Sequence, residues 1–111
     1  MAELTPVEVV TLAGLSDGPL HGYGLVQRIE ELTDGRMRVR PGNLYRVLNR
    51  LETAGLVEEV ELGGGDSGGG ADRRRFFRVT GRGRREVVAE LGMYAGVLKQ
   101  SRSLREARRD A

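Results

Sequence analysis

The sequence predicts a mainly α-helical chain with a small β-hairpin. Three amphipathic helical periods come first, two β-rich runs flank a glycine-rich linker, and a long helical seam closes the chain. Its 111 residues suffice for one domain with one appended element.

Thr5-Pro6-Val7-Glu8 has the form of a helix start: Thr5 caps, Pro6 sits where a missing N–H costs nothing, and Glu8 can reach back to the cap. Helix 1 is expected to run to about Ser16. Val7, Val9, Val10, Leu12, Ala13 and Gly14 cover most of its circumference and leave a narrow polar strip at Glu8 and Thr11. A helix this apolar needs cover on two sides. Gly18-Pro19 ends it, and after Gly22 a second helix carries Leu25, Val26, Ile29 and Leu32 on one face until Thr33-Asp34-Gly35 closes it. Arg36 to Val39 is a short extended link. Pro41 then opens helix 3, whose inward side is Leu44, Val47, Leu48 and Leu51, and Gly55 stops it as a residue just past a helix end does.

Leu56 to Leu62 and Arg73 to Val79 lie on either side of GGGDSGGGAD, most simply as an antiparallel hairpin with a long tip. Thr80 caps a last helix that can extend to about Arg108. Along it Val87, Leu91, Tyr94 and Leu98 recur at steps of four, three and four, a seam for another helix. The order helix, helix, helix, strand, long tip, strand, helix is that of a winged helix-turn-helix with an added C-terminal helix. It is expected to divide into a winged helix-turn-helix domain over 1–80 and a C-terminal helix over 81–111 that would join two copies. The dimer interface is expected at Val9 and Leu12 of helix 1 together with Val87, Leu91, Tyr94 and Leu98.

Composition excludes several functions. With no cysteine there is no disulfide, thiol nucleophile or thiolate metal site, and one histidine makes no histidine cluster. No cofactor is expected. No apolar run approaches the ~20 residues of a membrane span, and MAELTPVEVV carries acid where an export signal carries base, so a cytoplasmic protein without membrane contact is expected. The net charge of +2 conceals an asymmetry: residues 1–70 hold 6 basic and 11 acidic side chains, residues 71–111 hold 12 and 5. An acidic partner would therefore meet selected surfaces.

Helix 3 carries such a surface. With its leucine face inward, Gly42, Arg46, Asn49 and Thr53 point outward, Arg50 lies beside them, Asn43 and Tyr45 flank the edges, and Glu52 at the rim is the only acid. The major groove of B-DNA admits one helix, arginine and asparagine are suited to base edges there, and Arg46, Asn49 and Arg50 are expected in that use. Gly42 lets the backbone approach a phosphate, where free amides and the helix dipole favour an anion. The hairpin adds Arg73, Arg74, Arg75 and Arg78. The partner expected is double-stranded operator DNA. An enzyme would need a cofactor motif, a metal set or paired catalytic carboxylates, none of which is recognisable. A winged helix that binds protein without DNA is the alternative reading, and it would show exposed apolar anchors on helix 3.

GPLHGYGLVQRIEEL, PGNLYRVLNRLETAGLVEE and RRRFFRVTGRGRR occur in order with no large insertion, and together they resemble the PadR family of bacterial transcriptional regulators over about residues 9–90. The resemblance implies a winged-helix domain, a homodimer joined by C-terminal helices, and repression of nearby genes relieved by a small-molecule effector. One short C-terminal helix is similar to the smaller subfamily. By the same resemblance Tyr23 and Tyr45 fall where family members touch phosphates, and Asn43, Arg46 and Asn49 fall on the recognition helix. Arg40 stands where the family commonly has serine or threonine, and Asn43 where it has threonine. Arg40 cannot cap by its side chain, which leaves a helix start more attractive to phosphate.

The remaining candidates have structural readings. His21, just before helix 2, is expected to pack against or hydrogen-bond the turn between helices, and Gly22 and Gly24 to give room for close packing. Phe76 and Phe77 could stack on bases, but adjacent strand residues face opposite ways, and wing core is expected for both. Tyr94 is expected in the dimer seam with its hydroxyl at the rim.

Overall fold

The computed structural model describes residues 3–61 and 75–110. Helix α1 (Pro6–Gly14) starts as expected: the Thr5 amide donates to Glu8 Oε1 at 2.9 Å, and the Glu8 amide donates to Thr5 Oγ1 at 3.2 Å. It ends two residues before Ser16. The polar strip is not at the surface, for Glu8 is 7% exposed and Thr11 fully buried. Thr11 stays satisfied by donating its hydroxyl to the Val7 carbonyl at 2.7 Å, while Glu8 has the partners described below.

Strand β1 (Leu20–His21) and helix α2 (Gly22–Leu32) follow. The strand was not expected; at two residues it is too short to carry a periodic signal. Leu25 and Ile29 of α2 are fully buried and Val26 half-buried, but Leu32 is 42% exposed at the helix end. His21 caps α2, its Nδ1 accepting from the Gly24 amide at 3.1 Å, and its ring meets Phe76 edge-on with centroids 5.3 Å apart. Gly22 does allow close packing. A Cβ there would stand 2.5 Å from Tyr45 Oη, whereas at Gly24 it would meet only ordinary contacts.

Helix α3 (Pro41–Thr53) buries Leu44, Val47, Leu48 and Leu51. Gly55, at φ +79°, closes it in the left-handed conformation. Its amide donates to the Glu52 carbonyl at 3.0 Å and the Leu56 amide to the Leu51 carbonyl at 2.9 Å, the paired bonds of a helix end that glycine permits. The chain then enters β2 (Val57–Val60), which pairs antiparallel with β3 (Phe76–Val79). Because β1 pairs with β3 on the other side, the hairpin becomes a three-stranded sheet of order β1-β3-β2. Phe77 is fully buried, while Phe76 is half-buried on the opposite face against His21.

Thr80 caps helix α4 (Gly81–Gln100) and donates its hydroxyl to the Gly55 carbonyl at 2.8 Å, which ties the end of α3 to the start of α4. The long helix breaks at Ser101, whose extended ψ of 105° stops α4, and α5 (Arg102–Asp110) begins anew. Helix α4 packs against α1, and Gly83 and Val87 of its first two turns are buried. The second side of α1 is thus covered within the chain. Val9 and Leu12, expected at a dimer interface, lie in the chain's own core, as does Val87. Among the described residues no helix is long and apolar enough to cross a membrane.

Candidate nucleic-acid interface

Burying the leucine side of α3 turns Gly42, Asn43, Arg46, Asn49, Arg50 and Thr53 outward. The helix starts without a side-chain cap, because Arg40 at the cap position (φ −75°, ψ 144°) makes no such bond and Pro41 has no amide to donate. Its first turn therefore offers backbone donors and a positive dipole end to an anion. A Cβ on Gly42 would meet nothing within 4 Å. Packing does not call for glycine there, and an approaching phosphate would have free access. Tyr23, on the first turn of α2, is 65% exposed, whereas Tyr45 is half-buried with its ring against Gly22.

The arginines divide into two kinds. Among the described residues, Arg40 and Arg46 are exposed and take part in none of the side-chain hydrogen bonds or ion pairs. Arg50 and Arg75 are already engaged. Arg50 Nε donates to Glu8 Oε2 at 2.8 Å. Burial pushes the Glu8 carboxyl up, but the Thr5 amide and the Arg50 guanidinium outweigh it and hold the group below its ordinary value. Arg75 donates through Nε and Nη2 to both oxygens of Glu59, which holds its guanidinium in the charged form above its ordinary value. Arg78 pairs with Glu58 directly across the hairpin.

Arg73 and Arg74 lie outside the described residues. Sequence reasoning missed the two acids that engage Arg50 and Arg75. The Glu59–Arg75 pair had a signal, because aligning the two β-rich runs antiparallel sets Glu58 opposite Arg78 and Glu59 diagonal to Arg75, on the same face as Phe77. The Glu8–Arg50 pair, 42 residues apart, had none.

The assembled surface is one helix face carrying Asn43, Arg46 and Asn49 with an uncapped amide terminus at its start; Tyr23 is exposed on α2, next to the Gly22 that meets Tyr45 of α3. Large exposed apolar side chains among the described residues lie on α2, α4 and α5, and none on α3.

Comparison with known proteins gives a consistent picture. Residues 11–89 match the transcriptional regulator PadR-like family. An uncharacterized 37.1 kDa protein in transposon Tn4556 of Streptomyces fradiae is 39% identical over 83 residues, which are 75% of this chain. The chain spans only 21% of that protein. Among solved structures, a PadR family transcriptional regulator from Eggerthella lenta superposes with a TM-score of 0.65 at 25% identity, covering 84% of this chain and 75% of that one. Bacillus subtilis PadR, solved in complex with operator DNA, gives 0.66 over 78% of this chain and 48% of its own; at 18% identity that likeness is one of fold alone.

Proposed function

Since the chain belongs to the PadR-like family of transcriptional regulators, we propose that it is a sequence-specific DNA-binding repressor, acting in the cytoplasm as a homodimer on an inverted-repeat operator. The observation that carries this is the outward face of α3, where Arg46 and Asn49 are exposed, Arg46 has no partner among the described residues, and no apolar anchor is present. A protein-docking helix would bury apolar side chains at its centre, whereas this face offers donors and acceptors for base edges.

Arg46, Asn49 and Asn43 read bases in the major groove. Gly42, the uncapped amides of α3, Arg40 and Tyr23 meet phosphates and fix the register, and Tyr45 lies at the edge of that surface. Arg50 is kept out of the base-reading set because its Nε is bound to Glu8. Residues 1–80 form the DNA-binding unit and residues 81–111 the self-association region. Within the latter, Leu91 and Tyr94 are exposed on one side of α4 with Leu98 half-buried below them, and a second copy would cover this seam. The dimer then holds two α3 helices for half-sites one turn apart, ~34 Å between centres. A small-molecule effector that favours another dimer angle would release DNA by shifting the population of dimers.

A gel-shift titration against the DNA upstream of its own gene, with unrelated DNA as competitor, tests this. Retention of the upstream fragment in excess competitor is expected. Equal displacement by both DNAs would refute sequence-specific binding.

A further inference from the structure

Arg75 stands where the hairpin returns to the body, and in the fold it is held on two sides. Its Nε and Nη2 donate to Glu59 Oε2 and Oε1 at 3.1 and 3.0 Å, a two-pronged grip. Its guanidinium carbon is 5.0 Å from the centre of the Phe77 ring and 5.7 Å from that of Tyr45, and those two rings are 6.2 Å apart. Glu59 pairs with Phe77 across the hairpin, so both side chains lie on one face of the sheet, and Arg75, two residues before Phe77, shares it. On its other side the Tyr45 ring presses on Gly22 at the start of α2. Both strands of the wing, the recognition helix and the start of α2 meet through this one stack.

We propose that Arg75 is a positioning residue for the DNA-reading helix: Glu59 holds its guanidinium over Tyr45 and Phe77, and the stack braces the wing against α3. The charge is spent inside the protein and not on the DNA backbone. This role rests on the DNA-binding reading of α3. A planar guanidinium can fork to a carboxylate and stack on a ring, and a lysine ammonium in its place can do neither as well. A phosphate contact, by contrast, asks chiefly for positive charge. The two roles therefore give opposite outcomes for the same substitutions.

Three variants decide between them by fluorescence anisotropy on operator DNA over a range of salt. Arg75→Lys keeps the charge, and the brace predicts roughly a three- to tenfold loss of affinity from the missing stack and fork. Arg75→Gln is expected to weaken binding with the slope of log K against log salt unchanged, whereas loss of a phosphate contact would flatten it by about 0.9. Glu59→Gln makes the wing more positive and frees Arg75, so a phosphate contact would tighten binding, while the brace predicts weakening. In the free protein, all three variants should shift the ring proton resonances of Tyr45. That measurement uses no DNA: a wild type that binds no operator would overturn the functional reading, yet Tyr45 would still report whether Arg75 braces it. Wild-type affinity in Arg75→Lys, tighter binding in Glu59→Gln, or unmoved Tyr45 resonances would each overturn the brace.

Discussion

Arg50 Nε donates to Glu8 Oε2 at 2.8 Å, tying the last turn of α3 to the first turn of α1. Glu8 is 7% exposed and also closes the cap of its own helix. Removing Arg50 leaves a buried carboxylate short of a partner, so Arg50→Ala should cost about 1–3 kcal/mol of stability in urea denaturation. Arg46→Ala, which breaks no internal bond among the described residues, should stay within about 0.5 kcal/mol of wild type. Equal stabilities for the two variants would mean that the Glu8 pair contributes nothing to the fold.

The same pair gives a pH dependence. Glu8 is held below its ordinary pKa of 4.5 once folded. A carboxyl lowered by folding contributes stability that is whole above its ordinary value and is lost as pH falls through the folded one. Wild type should therefore lose more stability between about pH 6 and about pH 3 than Glu8→Gln does, by urea midpoints at the two pH values. Parallel losses in both proteins would contradict this.

Two glycines should respond in opposite ways to alanine. At Gly22 the new methyl would stand 2.5 Å from Tyr45 Oη and 2.7 Å from Cζ. Gly22→Ala should therefore lower stability by about 1–3 kcal/mol despite alanine's better helix propensity. Gly42→Ala meets nothing within 4 Å and should leave thermal stability unchanged or raised while weakening DNA binding. If Gly42→Ala bound DNA as wild type does, the amides at the start of α3 would not be phosphate contacts.

Much of this architecture was legible because its signals are local. Thr5-Pro6-Val7-Glu8 specifies its own cap, Pro41 and Gly55 bracket α3, and the spacing of Leu44, Val47, Leu48 and Leu51 fixes which side of α3 faces out. What escaped depends on distant partners. Glu8 and Thr11 look like a solvent strip until α4 and Arg50 close over that side of α1, and Val9 and Leu12 look available to a second subunit for the same reason. Leu20 and His21 form a strand only because β3 offers a free edge. The break at Ser101 comes after the seam has ended at Leu98 and divides the helix expected to run to about Arg108; no proline or glycine marks it in the sequence.

The seam on α4 predicts association. Leu91 and Tyr94 are exposed, and covering them with a second copy removes apolar surface from water. In sedimentation velocity at micromolar concentration the wild type should be a dimer, and the Leu91→Lys, Tyr94→Lys double variant a folded monomer. Operator affinity should fall far more than affinity for a single half-site. A monomeric wild type would refute both the dimer and the inverted-repeat operator.

The base-reading role of α3 is tested most directly by Arg46→Ala, measured by anisotropy on operator and on scrambled DNA with Arg50→Ala beside it. Arg46 is exposed and without an intramolecular partner among the described residues. Its loss should cost about 1–3 kcal/mol on the operator, relax preference at one base pair and change scrambled-DNA affinity much less. Arg50→Ala should leave base preference as it is. Equal losses for Arg46→Ala on operator and scrambled DNA, or no loss on either, would contradict the assignment of this helix face to reading sequence.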